Sequence, residues 1–126
     1  MGLSDADRET LTKELHVIIN CAGSTEFSTK LDAAVKVNVT GPLLLLKLAE
    51  QCAHFTCFCH ISTCYAVGDK TGVIKEGIHD SPVNWQMAYD QVSSMNKLDL
   101  EHYHLNLLGN FPNTYTFSKR MAEHLL

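Results

Sequence analysis

The sequence predicts an α/β chain organised around one unit of a parallel sheet. Two short runs, residues 16–20 and 57–62, are rich in β-branched and small apolar residues, as buried parallel strands are. Between them, residues 31–52 read as a long helix that is apolar on nearly every side, the pattern of a helix packed in a core. Strand, helix and strand over this length make one βαβ crossover, expected to be right-handed.

The elements follow in order. Residues 4–14 read as a helix with Ser4 as N-cap, Asp5 and Asp7 at its positive end, and Leu11 and Leu15 as an apolar stripe. The first strand ends in Cys21-Ala22-Gly23-Ser24, small residues that let a ligand approach the backbone where open α/β sheets bind theirs. An ordinary strand-to-loop turn explains the same residues. Gly41-Pro42 interrupts the long helix, and the second strand ends in Ser62-Thr63. Residues 66–84, with Gly68, Gly72, Gly77 and Pro82, read as a loop. Residues 85–108 read as an irregular helix stopped by Gly109.

Pro112 then ends one segment, and Asn113 or Thr114 can cap the next helix. That helix opens with Tyr115-x-x-x-Lys119, and a gap of four puts both side chains on one face. An ammonium close to a phenol favours phenolate and lowers its pKa from about 10. The pair is therefore a candidate general acid/base for a carbonyl or an alcohol. The plainer alternative is a helix face with a snorkelling lysine.

The 126 residues are 45% hydrophobic and 19% charged with a net charge of −4, a globular balance without a basic run. Neither nucleic acid nor an anionic membrane surface is an expected partner. The apolar run 42–46 is far too short to span a bilayer, and the charged residues 1–15 do not read as a signal peptide. An odd number of cysteines, five, without such a signal favours free thiols in a reducing, intracellular setting. Cys52, His54, Cys57, Cys59, His60 and Cys64 cluster in sequence, which raises zinc as an alternative. No Cys-x-x-Cys pair occurs, however, and Cys57 and Cys59 fall inside a strand, so the expectation is small buried hydrophobes and no metal site.

Two strands cannot by themselves make a doubly wound sheet, since both would leave edges unpaired. A dinucleotide fold also needs a glycine-rich strand–turn–helix, and no G-x-x-G-x-x-G stretch occurs here. The expectation is that residues 1–126 are an interior part of one larger domain.

Taken together, residues 17–23, Glu26-Phe27 with Lys30-Leu31, Asn38-Val39-Thr40-Gly41, residues 60–65, and residues 112–119 followed by Ala122-Glu123-His124 resemble the extended short-chain dehydrogenase/reductase superfamily. Within it the likeness is to the fatty acyl-CoA reductases of the male sterility type, and it covers nearly the whole chain. Nucleotide-sugar epimerases and dehydratases share the Ser/Thr, Tyr and Lys set, but usually place the tyrosine much sooner after the Ser/Thr strand. Here a helical insertion separates Thr63 from Tyr115, as in acyl-CoA reductases.

The resemblance implies a partial Rossmann-like, doubly wound parallel sheet lacking its first βαβ unit. It implies NADPH-dependent reduction of a long-chain acyl-CoA to a fatty alcohol through an aldehyde, in the cytoplasm or on the cytosolic face of an organelle membrane. Tyr115 would protonate the developing alkoxide, and Lys119 would tune the tyrosine and bind the nicotinamide ribose. Thr63, with Ser62 assisting, would stabilise the substrate oxyanion. Otherwise their hydroxyls merely cap the loop. Ala22 and Gly23 would lie along the cofactor.

Asn38 enters through its backbone. Pro42 has no N–H to offer the Asn38 carbonyl, so the helix is expected to bend there. In the resembling dehydrogenases an asparagine on this helix holds a water that links the lysine to solvent. A packing kink without a catalytic role is the alternative. Two further readings stay open for the chain as a whole: an epimerase- or dehydratase-like enzyme, and a non-catalytic remnant that keeps these residues without a pocket.

Overall fold

The computed structural model describes residues 2–126. Its elements are α1 (Asp5–Glu14), β1 (Val17–Asn20), α2 (Leu31–Val35), a π-helical turn (Lys36–Thr40), α3 (Gly41–Ala49), β2 (Cys57–His60), a 3-10 turn (Cys64–Val67), α4 (Trp85–Ser94), α5 (Lys97–Leu108) and α6 (Thr114–Leu125). The expected strand–helix–strand order is present. β1 and β2 pair in parallel, Val17 against Cys57 through Asn20 against His60.

Local chemistry sets most of the boundaries. The Ser4 hydroxyl accepts from the Asp7 N–H at 3.1 Å and caps α1. Asn84 and Asn96 cap α4 and α5 in the same way, each at 3.0 Å. The irregular helix expected over 85–108 is thus two helices, because Met95 turns extended and Asn96 restarts the next one. Gly109, at φ 56°, ends α5 in a backbone region that favours glycine.

The long helix runs unbroken from residue 31 to residue 49, and the interruption expected at Gly41-Pro42 takes another form. Ahead of Pro42 the ladder widens by one residue, and the Gly41 N–H bonds the Lys36 carbonyl. A π turn absorbs the missing proline N–H without ending the helix. Nor is this helix buried on every side, since Val37 is 45% and Leu44 39% exposed.

The core lies among the helices. Leu31, Val35 and Val39 meet Val92, Leu100, Leu108, Phe117 and Met121 there. Trp85 stands at its centre, edge-on to Phe111 with centroids 5.8 Å apart and tilted against Phe117 at 5.4 Å. Residues 114–122 of α6 are all buried, polar ones included.

The strands depart from their expected burial. Ile19 is 65% exposed, and Cys57 and Cys59 are exposed as well. The expectation of buried cysteines is corrected here: of the five free thiols, only Cys52 is partly covered. Strand alternation sends Val17, Ile19, Cys57 and Cys59 to one face of the sheet, where no described element packs over them.

Candidate active site

The site is assembled where α6 crosses the ends of both strands. Asn113 supplies the cap, its side-chain oxygen accepting from the Thr116 N–H at 2.9 Å. Thr114 does other work: its hydroxyl donates to the Thr29 carbonyl at 2.7 Å and fastens the segment before α2 to the start of α6. Phe27, in that segment, stacks on the Tyr115 ring with centroids 5.5 Å apart. Tyr115 is buried beneath it.

Lys119, one turn along α6, is buried too. Its ammonium donates to the Ile61 carbonyl at 2.7 Å, just past the end of β2, and stands 3.5 Å from His60 Nε2. Burial pushes the Lys119 pKa below the ordinary lysine value, against the opposing pull of Glu123.

Ser62 and Thr63 differ in what they touch. The Ser62 hydroxyl donates to Glu123 Oε1 at 2.7 Å, and the other oxygen of that carboxylate receives Arg120 Nη1 at 3.3 Å. Arg120 is buried and also donates to the His79 carbonyl. The Thr63 oxygen accepts from the Tyr65 N–H at 3.3 Å and caps the 3-10 turn, which leaves its own proton uncommitted.

Asn38 sits in the π turn and is fully buried. Its side-chain oxygen accepts from the Ser24 N–H at 2.8 Å, and its amide donates to the Ser24 carbonyl at 3.0 Å and to Ser118 Oγ at 2.9 Å. None of these bonds runs to Lys119, whose own partners lie at the end of β2. Ala22 and Gly23 lie exposed between β1 and this clamp. A Cβ on Gly23 would stand 3.2 Å from Asn38 Oδ1, closer than a side chain comfortably sits.

The structure therefore sets Tyr115 and Lys119 one turn apart on α6, ties Asn38 to the same helix through Ser118, and holds the Ala22-Gly23 turn against Asn38. Sequence reasoning passed over Ser24, Ser118, His60 and Glu123 as parts of this site. Two signals were available: Glu123 is four residues after Lys119, and His60 is two before Ser62 on the same strand face. Beside Phe27 a cavity of about 450 Å³ opens between α5 and the start of α6, lined among others by Leu31, Leu100, Leu108 and Pro112. Among the described residues, no group of three or more His, Cys, Asp or Glu side chains is arranged to hold a metal ion.

The NAD-binding family model described as "Male sterility protein" matches residues 1–126. The chain belongs to this family. It is 32% identical to "Fatty acyl-CoA reductase 1" of Gallus gallus and 30% identical to the Homo sapiens protein of that name, over 126 residues in each case. It is 28% identical over 151 aligned residues to "Probable fatty acyl-CoA reductase 5" of Arabidopsis thaliana. Each match takes in the whole of this chain, but only 24% of the two animal proteins and 30% of the plant one. Membership of an NAD-binding family implies a nicotinamide cofactor. The turn after β1 fits one: Cys21, Ala22 and Gly23 are small and exposed, and a Cβ at Gly23 would crowd Asn38 Oδ1.

Proposed function

We propose that this chain is part of the doubly wound domain of an NADPH-dependent fatty acyl-CoA reductase, which converts a long-chain acyl-CoA to a fatty alcohol through the aldehyde. One observation carries the reading. Tyr115 and Lys119 lie buried one turn apart on α6, with Lys119 donating to the Ile61 carbonyl just past the end of β2, two residues before Thr63. The family's relatives, acyl-CoA reductases by name, supply the substrate class.

When bound, the nicotinamide supplies the hydride, and Ala22, Gly23, Tyr115 and Lys119 are the residues that would hold the cofactor. The Tyr115 phenol holds the proton that a developing alkoxide takes, and Lys119, one turn along α6, is its charged partner in this reading. Thr63 offers its free hydroxyl proton to the same oxygen. Ser62 acts at one remove, through Glu123. Asn38 fixes the Ser24 loop and Ser118 with its side chain, while its backbone carbonyl serves the lysine's supply of protons through a water. Phe27 covers the tyrosine ring and borders the cavity, whose Leu31, Leu100 and Leu108 wall suits an acyl chain, while Lys30, Lys97 and Glu101 are among the residues lining the rest.

No glycine-rich phosphate cradle occurs in these 126 residues, so by themselves they should hold NADPH weakly and turn nothing over. The reading places the protein in the cytoplasm or on the cytosolic face of an organelle membrane. Full-length protein given a long-chain acyl-CoA and NADPH should yield fatty alcohol, identified by gas chromatography. Cofactor oxidation with no aldehyde or alcohol formed would contradict the reading.

A further inference from the structure

Beside the Tyr115–Lys119 pair stands a titratable group that the proposed chemistry does not use. His60 Nδ1 lies 2.9 Å from Asn20 Nδ2, its register partner across the sheet, and Nε2 lies 3.5 Å from Lys119 Nζ. The ring is half-buried, so it reaches solvent on one side and the lysine on the other.

We infer that His60 is the positioning residue for Lys119, holding the ammonium when neutral and releasing it when protonated. The inference rests on the reading of Lys119 as the partner of Tyr115. An ammonium can only donate, so Nε2 must offer its lone pair and the ring proton must sit on Nδ1. Nδ1–H then faces the Asn20 amide, whose oxygen takes the place of its nitrogen by a half-turn of the amide plane. The neutral ring and the Ile61 carbonyl together fix the lysine from two sides. A protonated ring has no lone pair left and sets a second positive charge beside the first.

The charged groups facing His60 are Lys119 and Glu123, both on α6, while β1 presents the uncharged Asn20. Burial first, and then the Lys119 charge, hold the imidazole below its ordinary value of 6.5, and Glu123 pulls the other way. The ring is accordingly neutral at pH 7, where the lysine has to be held.

The test has two arms in the full-length protein. His60→Ala should lower kcat roughly ten- to a hundredfold with little change in KM for acyl-CoA, the scale of a misplaced catalytic group. His60→Gln, whose amide oxygen accepts from an ammonium at any pH, should recover most of that loss and remove the wild-type fall in kcat on the acid side. Independently, NMR should find a higher titration midpoint for the His60 ring in Lys119→Met than in the wild type. An unmoved midpoint overturns the inference, whatever the activity. So does an acid-side fall in His60→Gln that matches the wild type. If no acyl-CoA reduction is found at all, the parent reading fails, and the NMR arm still decides whether His60 and Lys119 are coupled.

Discussion

Asn38 and Ser118 lie 80 positions apart and share a 2.9 Å hydrogen bond inside the core. Through that bond the loop after β1 is tied to the helix that carries Tyr115 and Lys119. Ser118 passes the link on, its hydroxyl donating to the Tyr115 carbonyl at 3.0 Å. The turn expected to take the cofactor and the helix expected to take the substrate oxygen are thus held in one frame by two side chains.

Asn38→Ala removes three hydrogen bonds and leaves the Ser24 N–H and carbonyl without their partner. An orphaned buried polar group costs about 1–3 kcal/mol, so the free energy of unfolding should fall by roughly 2–4 kcal/mol in a denaturant titration. A loss well under 1 kcal/mol would mean that the clamp contributes little.

Gly23→Ala tests the other side of the clamp. The new Cβ would crowd Asn38 Oδ1 at 3.2 Å, and overpacking of this kind costs on the order of 1–3 kcal/mol. In Asn38→Ala that oxygen is gone, so the second substitution should cost less there than in the wild type. Strict additivity across the double-mutant cycle would separate the two sites.

Ser62 and Thr63 should not be equivalent in turnover. The Ser62 proton is committed to Glu123, whereas the Thr63 oxygen accepts from Tyr65 and keeps its proton to give. Thr63→Val should lower kcat about a hundredfold, the usual effect of losing an oxyanion donor, and Thr63→Ser should restore much of it. Ser62→Ala should cost far less. The reverse order in steady-state kinetics would assign the oxyanion role to Ser62.

These distinctions mark how far the sequence could be read. Tyr115 and Lys119 were legible because helical spacing alone puts them on one face, and the Asn113 cap and Gly109 stop were legible because both are local. The break between α4 and α5 was also within reach, since Asn96 and Asp99 have the spacing of a helix cap. The π turn was not, because Pro42 announces a missing N–H but not how the ladder absorbs it. The exposure of Ile19, Cys57 and Cys59 was hidden as well: an apolar run states a preference for burial and not what lies over it. His60 drew attention as one of several cysteine and histidine neighbours and as part of the resembling stretch 60–65, and its place beside Lys119 depends on how α6 docks.

Stability should fall on the acid side of neutrality. His60 and His124 are both held below the ordinary 6.5, chiefly by burial and then by the Lys119 and Arg120 charges respectively. Between each lowered value and 6.5 the unfolded chain binds more protons than the folded one, so stability rises with pH across that window. As pH drops below about 6.5 the melting temperature should decline, and less steeply in His124→Gln. An unchanged pH slope in that variant would remove His124 from the balance.

The most direct test of the account is Tyr115→Phe in the full-length protein, with acyl-CoA reduction and NADPH binding measured side by side. The phenol's proton is needed only as charge develops on the substrate oxygen, so reduction should be abolished while cofactor affinity stays within about threefold of the wild type. Near-normal turnover by Tyr115→Phe would contradict the account and remove this tyrosine from the chemistry.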